Sequence, residues 1–387
     1  MLMERSLLQP APLLRLAIAF ILGIVAGQVL AWPLWVVLAV LALSTIVTVV
    51  SGRWPYVQSV LIVACFVLLG MVRMQMSHDV SVERAGTVRT WFLEQREVLL
   101  GHYRQAVSDE EQYAVLAAMT LGDKRALTKE LRETYSVTGA SHVLALSGLH
   151  LGIVYVLLSL LTMGRRRHWL SQTVIILGLW AFAFLTGLSP SVTRSATMLS
   201  VYALFSVAER GRASVNVLSF TALVLLFIDP RALFDVSFQM SYAAVFSILL
   251  FMPLFDRMMP MDYLIRHRWL KAVYRLAAVS VAAQLGVAPL IAFYFHRFST
   301  WFLLTNFVAI PLATVILYGA LIVLLVPPVI PVLVWVVSAL NSALTVLSYL
   351  PYASIDGLCP SMLQVSMIYV AIGCIYLALL RLFNHQR

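Results

Sequence analysis

Apolar stretches of bilayer-crossing length recur along almost the whole chain, and no other feature of the sequence limits its fold as strongly. A crossing helix needs roughly 20 mostly apolar residues, and about twelve such runs can be drawn. They lie near 12–31, 34–50, 56–72, 142–163, 169–187, 191–208, 214–228, 236–254, 272–295, 301–326, 328–349 and 364–382. Of the 387 residues, 61% are hydrophobic and 11% charged. Soluble domains sit near ~45–50% and ~25%, so the excess cannot be hidden in one aqueous core. The expected fold class is all-α: a polytopic helical membrane protein with about 12 spans and an extracytoplasmic amphipathic-helix segment.

Arg5 and Arg15 precede the first run, as in a signal peptide, and "AGQVLA" offers a weak cleavage site. The many later spans target the chain to the membrane anyway, so an uncleaved first span is expected. Cys65, Cys359 and Cys374 are odd in number and two fall inside spans, which supplies neither a disulfide nor a zinc framework.

The net charge of +10 is a topology signal rather than a nucleic-acid patch. With both termini in the cytoplasm, Arg53, Arg165–Arg166–Arg167, Arg210, Arg212, the 257–275 loop, Arg381 and Arg387 all fall inside. Residues 73–141 are the exception, with nine Lys/Arg against ten Asp/Glu. So long a segment is largely exempt from the charge rule and is placed outside. Three stretches follow: N-terminal membrane helices at 1–72, the extracytoplasmic segment at 73–141, and a membrane domain at 142–387.

Within the polar segment Val88, Trp91/Phe92, Leu99 and Tyr103 recur at helical spacing between Arg89, Glu94, Arg96, Glu97 and Arg104. This helix lies on the outer surface or packs on the spans. A second helix is expected over 109–121 with Ser108 as N-cap and Glu111 completing a capping box. A third follows Thr128 through Lys129 to Tyr135. Gly122 and Asp123 form the turn between them, and Gly139 ends the third.

Polar groups are costly in hydrocarbon and normally face a bundle interior or a wet path. Four clusters qualify. In "HVLALSGLHLGIV", residues 142–154, Ser147 and His150 share a helix face, with Gly148 and Gly152 spaced for close helix approach. In "GLSPSVTRSATM", residues 187–198, Ser189 and Pro190 read as N-cap and first helical residue. Arg194 then lies one turn inside, at the helix end that repels a cation. It either snorkels or is paired or pore-lining. In "DVSFQMSYAAV", residues 235–245, Asp235, Gln239 and Tyr242 form one polar stripe, with Ser237 and Ser241 on another. Asp235 and Arg194 are expected at similar depth, as a pair. In the fourth, residues 282–311, Gln284 sits near mid-membrane, Asn306 one turn into the next span, and Pro289 and Pro311 are expected to interrupt their helices. Broken helices at such depth line a site, unless the prolines merely kink packed helices.

Read in order, these clusters resemble the membrane domain of the ComEC competence family, the bacterial inner-membrane channel for DNA uptake. The resemblance runs over roughly 110–320. It starts at "LGDKRALTKELRETYSVTGASHVLALSGLH" and continues through Pro-Ser-Val-x-Arg at 190–194, Ser-Phe-Gln-Met-Ser at 237–241 and the Pro289–Pro311 region. It implies passage of single-stranded DNA into the cytoplasm, an outer-side DNA receptor and a cytoplasmic helicase as partners, and a location in the plasma membrane. Assembly with a second copy is left open. Family members often carry an oligonucleotide-binding β-barrel and a metallo-β-lactamase-like domain. Residues 73–141 read as helices instead, and the last span ends close to Arg387, so a short form lacking both is expected.

No His-x-His cluster and no Gly-Lys dipeptide occurs, so neither a nuclease nor a P-loop ATPase is expected, and no metal or cofactor. The channel candidates are Ser147, Gly148, His150, Arg194, Asp235, Gln239, Gln284 and Asn306. Gly122, Asp123, Gly139, Pro190, Pro289 and Pro311 are the structural candidates. Arg194 and the basic inner loops supply charge against phosphates, and small residues leave room for a strand. Three alternatives remain: a small-solute or lipid transporter, an intramembrane hydrolase using Ser147 with His150 or His142, and a metal site from His142, His150 and Asp235.

Overall fold

The computed structural model describes residues 11–30, 32–77, 86–162, 168–207, 214–259, 267–323 and 326–385. Residues 163–167, 208–213 and 260–266, which belong to the segments read above as inner loops, lie outside the described residues. The chain is helical almost throughout. In order come α1 (Pro12–Val29), α2 (Leu34–Val50), α3 (Pro55–Gln75), α4 (Thr87–Ala106), α5 (Glu110–Leu121), α6 (Lys129–Val137), the single turn α7 (Ser141–Leu144) and α8 (Gly148–Thr162). Then follow α9 (His168–Leu185), α10 (Pro190–Val207), α11 (Ser214–Ile228), α12 (Val236–Met258) and α13 (Arg268–Phe295). The last elements are β1 (Arg297–Ser299), α14 (Phe302–Val323), α15 (Ile330–Ser348), β2 (Ser354–Asp356) and α16 (Met362–His385).

Eight of these helices are long and apolar enough to cross a membrane, and α8, α9 and α11 are shorter apolar helices. With α10 they correspond to the runs drawn from the sequence. The protein is a polytopic, membrane-embedded helical protein.

Two compact units form, one from residues 1–84 and 201–239 and the other from 85–200 and 240–387. They divide the chain differently from the three stretches drawn from sequence, because residues 86–141 cluster with the later membrane helices.

In the first unit α1 lies against α3 at very short range. A Cβ added at Gly23 would meet the Val67 carbonyl oxygen at 1.9 Å, and one at Gly70 would meet that of Phe20 at 2.3 Å. Gly23 and Gly27 are four residues apart, the small-residue spacing that lets membrane helices approach when no hydrophobic drive separates protein from lipid. The ends of α3 and α11 are tied by two arginines. Arg73 donates to the last carbonyls of α11, Phe227 at 2.7 Å and Ile228 at 3.0 Å. Arg231 donates to Ser77 O, just beyond α3, at 2.7 Å. Cations suit these helix ends because the final carbonyls have no intrahelical donor.

The core of the second unit surrounds α5, which is buried at every residue from Ala114 to Leu121. Its neighbours include Tyr103, Leu131, Tyr135, Ala309, Ala313, Val337 and Leu340. A helix apolar all round belongs in a core, so this part of the polar segment is no surface helix. Its N-cap is Asp109, which accepts from the Gln112 amide at 2.9 Å, instead of the expected Ser108. The Asp109–Gln112 pair supplies the same three-residue spacing one position later, with a stronger capping carboxylate. In α4 the expected stripe splits. Phe92 stacks on Phe184 and Tyr103 is buried, while Val88 and Trp91 are exposed.

The expected span at 142–163 is two pieces, α7 and α8, with Ala145 extended between them. Pro289 and Pro311 do the reverse: α13 and α14 run unbroken through them. A proline frees a carbonyl one turn earlier, and membrane helices tolerate this where neighbours supply donors. Near Pro289, whose missing amide leaves Leu285 O without its helical donor, two neighbouring carbonyls of the same helix receive side-chain donors. Ser247 Oγ donates to Ala282 O at 2.6 Å and Tyr369 OH donates to Gly286 O at 2.7 Å. Antiparallel β1 and β2 form a short ribbon that the all-helical expectation did not include, pairing Arg297 with Asp356 and Ser299 with Ser354.

Candidate functional site

Three tight turns of the second unit converge on the gap between α7 and α8. The first follows α5, where Gly122 takes φ +72° and ends the helix in the left-handed conformation. The Asp123 amide closes the turn on Ala117 O at 3.1 Å. A side chain at Gly122 would run into Leu146 Cδ1 at 2.7 Å and Thr186 O at 3.2 Å, so the turn touches both the gap and the α9–α10 connection. The second turn follows α6 at Gly139, where a Cβ would meet Ser299 Cβ at 2.9 Å. The His142 ring donates from Nδ1 to Gly139 O at 2.9 Å. The third is Thr186–Ser189, after which α10 begins at Pro190 as the sequence indicates.

Asp123 is 5% exposed and anchors the first turn. It accepts from the Arg125 amide and Nε, each at 3.0 Å, and from Arg125 Nη2 at 2.8 Å, with Arg96 Nη2 at 3.9 Å. Burial alone raises a carboxyl pKa. Here the Arg125 hydrogen bonds and the two guanidinium charges outweigh it and hold Asp123 below the usual carboxylate range. Arg125 also pairs with Glu97 at 2.9 Å, and both side chains are more than half exposed.

The gap lies deep. Gly139 meets Ser299 and Phe302 at the start of α14, while Tyr318 OH donates to Ile153 O at 3.1 Å further along. Thus α8 and α14 descend together. Counting back from Tyr318 by the five residues between Ile153 and Gly148 puts the start of α8 level with residue 313. That is about 16 Å below Phe302 at 1.5 Å per residue, about half of a 30 Å hydrocarbon core.

At this level Ser147 opens α8, its carbonyl accepting from the His150 amide at 3.1 Å. Serine at an N-cap followed by glycine explains locally why a new helix starts here. The His150 ring folds back over the cap: Nδ1 lies 3.3 Å from the Ser147 amide and 3.2 Å from Ser147 Oγ. His150 is fully buried, and its Nε2 has no hydrogen-bond partner among the described residues. Gly148 is exposed, and a Cβ there would stand 3.0 Å from Ser195 Oγ, so the start of α8 adjoins the first turns of α10. Arg194 is 5% exposed and donates from Nη2 to Ser241 Oγ at 3.3 Å.

The structure therefore brings Gly122, Ser147, Gly148, His150 and the first turns of α10 together. Gln284 is half-buried on α13 within the turn bounded by Ala282 and Gly286. Asn306 is half-buried on α14, and among the described residues neither its Oδ1 nor the neighbouring Thr305 Oγ1 has a partner. Asp235 and Gln239 belong to the first unit. There Asp235 accepts from the Ser237 amide at 3.2 Å, starting α12, and Gln239 donates to Leu233 O at 3.0 Å. Among the described residues no group of three His, Cys, Asp or Glu side chains is placed to hold a metal ion. Sequence reasoning missed Leu146, Thr186, Ser195 and Tyr369. Of these only Tyr369 carried a signal, a phenol inside an apolar span that needs an acceptor.

A family model described as competence protein matches residues 119–382, which takes in the three turns, the gap and Arg194. The chain belongs to the competence protein family. Its relatives include ComE operon protein 3 of Bacillus subtilis, 32% identical over 205 residues, covering 52% of this chain and 24% of that protein. Recombination protein 2 of Haemophilus influenzae is 25% identical over 219 residues, 52% of this chain and 27% of that one. Competence protein ComA of Neisseria gonorrhoeae is 29% identical over 163 residues, 38% of this chain and 23% of its own length. The chain thus spans about a quarter of the length of these three relatives. No solved structure matches it significantly.

Proposed function

We propose that this competence-family protein takes part in DNA uptake for transformation, as the membrane channel through which single-stranded DNA reaches the cytoplasm. The observation that carries the reading is the break between α7 and α8, level with the middle of α14 and adjoined by the first turns of α10. A half-helix start at mid-depth offers its first amides to an anion, and the first turns of α10, which carry Arg194, adjoin it. The exposed Arg125 and Glu97 next to the Gly122 turn need water, which supports a hydrated path from outside down to the gap. Names of relatives such as competence protein ComA and recombination protein 2 favour the same reading.

In this proposal the chain lies in the plasma membrane with both termini cytoplasmic and performs no chemistry on the strand. An outer-side receptor delivers the DNA and a cytoplasmic helicase draws it in, with assembly into a homo-oligomer compatible with the fold. The test is uptake of labelled DNA into the cytoplasm by cells carrying wild type, Arg194→Ala or no chain, with membrane insertion verified. Uptake that needs the chain and fails with Arg194→Ala supports the channel. Equal uptake in all three refutes it.

The 3.2 Å contact between Ser147 Oγ and His150 Nδ1 favours one rival, an intramembrane hydrolase. It is the weaker reading, because Nδ1 also accepts the Ser147 amide and among the described residues no group orients Nε2, whereas a working base is held by a third residue. Loss of activity in Ser147→Ala with partial recovery in Ser147→Cys would revive it.

A further inference from the structure

We infer that the first turn of α8, with the His150 imidazole, forms a seat for one phosphodiester anion. The inference rests on the channel reading and names the chemical group its narrow point recognises. The argument starts from a proton. A backbone amide can only donate, so the 3.3 Å contact from the Ser147 amide makes His150 Nδ1 an acceptor. The ring is then neutral with its hydrogen on Nε2. That N–H is fully buried and has no partner among the described residues. An orphaned donor in a hydrocarbon-depth interior is costly, and each one in a native protein needs an explanation.

The surroundings narrow what completes it. Gly148 and Leu149 are the first residues of a fifteen-residue helix, and their amides precede any carbonyl the helix can offer. Gly148 is exposed, so this helix start is the accessible part of the seat, with His150 buried behind it. Ser195 on the adjoining helix adds a hydroxyl, its Oγ 3.0 Å from where a Gly148 Cβ would stand. Among the described residues no carboxylate is hydrogen-bonded to Ser147, Gly148 or His150, and Asp123 is occupied by Arg125 and Arg96. Unanswered donors at a helix N-terminus call for a ligand that only accepts and carries negative charge. The two free oxygens of a phosphodiester meet that requirement, whereas a base edge mixes donors with acceptors. A single seat holds one phosphate and releases it to the next, as conduction requires. Opening the 145–147 gap brings the Nε2–H to the strand.

The test uses the full chain in nanodiscs and two fluorescent fifteen-residue thymidine oligonucleotides, one with phosphodiester linkages and one with uncharged methylphosphonate linkages. Wild type binds the charged strand more tightly. His150→Leu loses about tenfold of that preference, the worth of one hydrogen bond to a charged group. His150→Gln places an amide N–H near the Nε2 position and keeps most of it. A merely structural histidine predicts no Gln rescue and no dependence on backbone charge. Equal binding of the two strands by wild type, or a full preference retained by folded His150→Leu, overturns the seat. If the preference holds but cellular uptake is independent of the chain, the channel reading fails and the anion seat stands.

Discussion

Adding one methyl group at Gly23 tests whether the first unit is held by backbone contact. In Gly23→Ala the new Cβ would lie 1.9 Å from Val67 O, where real Cβ atoms essentially never come within 3.0 Å. The obstacle is a helix carbonyl rather than a side-chain tip, so α1 and α3 must part by ~1 Å, and a gap of that size forfeits a quarter to a half of each contact it opens. Overpacking a tight interior costs ~1–3 kcal/mol, and the severity of this approach puts Gly23→Ala at about 2–3 kcal/mol. Gly70→Ala, 2.3 Å from Phe20 O, costs a similar amount. Once one methyl has separated the helices the second finds room, so the double variant falls short of the sum by ~1 kcal/mol or more. Gly101→Ala is the control: nothing lies within 4 Å of its Cβ position on α4, and it gains ~0.5–1 kcal/mol in helix propensity. Reversible unfolding in bicelles measures all four proteins, and spin labels on α1 and α3 measure the separation. A Gly23→Ala protein as stable as wild type, or strictly additive costs with no separation, would refute the reasoning.

Two further outcomes are expected. Replacing Asp123 by Asn removes a buried carboxylate from three Arg125 hydrogen bonds, and with Arg125 two thirds exposed the loss is about 1 kcal/mol. Because the folded pKa is depressed, this contribution is present above the unfolded value near ~4 and disappears as pH falls through the lower folded value. Melting curves from pH 6 downward therefore show an acid-sensitive component in wild type that Asp123→Asn lacks. Tyr369→Phe deletes the donor to Gly286 O beside Pro289 and costs ~0.6–1.7 kcal/mol. Hydrogen exchange of α13 amides then rises around residues 286–290 while α14 is unchanged, and uniform exchange across both helices counts against a local clamp.

The number and order of membrane helices were legible because a 20-residue apolar run has few other places to go. Helix starts with chemical punctuation were legible too: Thr128 caps α6, and Pro190 opens α10. What the sequence hid was depth. The charged residues flanking α5 drew the 73–141 segment to the surface, although Ala114, Ala117 and Ala118 are small enough for three helices to close around them. In "HVLALSGLH" an unbroken apolar periodicity concealed a gap that Ser147 and Gly148 open. Pro289 misled in the other direction, since the Tyr369 phenol that bonds Gly286 O beside it lies eighty positions away. Ser147 and His150 were placed together by spacing alone. The unpartnered Nε2 that gives the pair its chemical meaning depends on packing no local pattern encodes.

The paired arginines that join α3 to α11 also set a timetable for biogenesis. Arg73 and its acceptor Phe227 are 154 positions apart. At ribosomal rates of ~5–20 residues per second, the first three helices wait roughly 8–30 s for the fourth member of their unit. Throughout that interval Arg73 must remain hydrated at the membrane surface and the flank of α1 that later receives α11 faces lipid or an assembly factor. Quality control of this protein is accordingly expected to act before the chain is finished, on a three-helix precursor whose missing piece is still being translated.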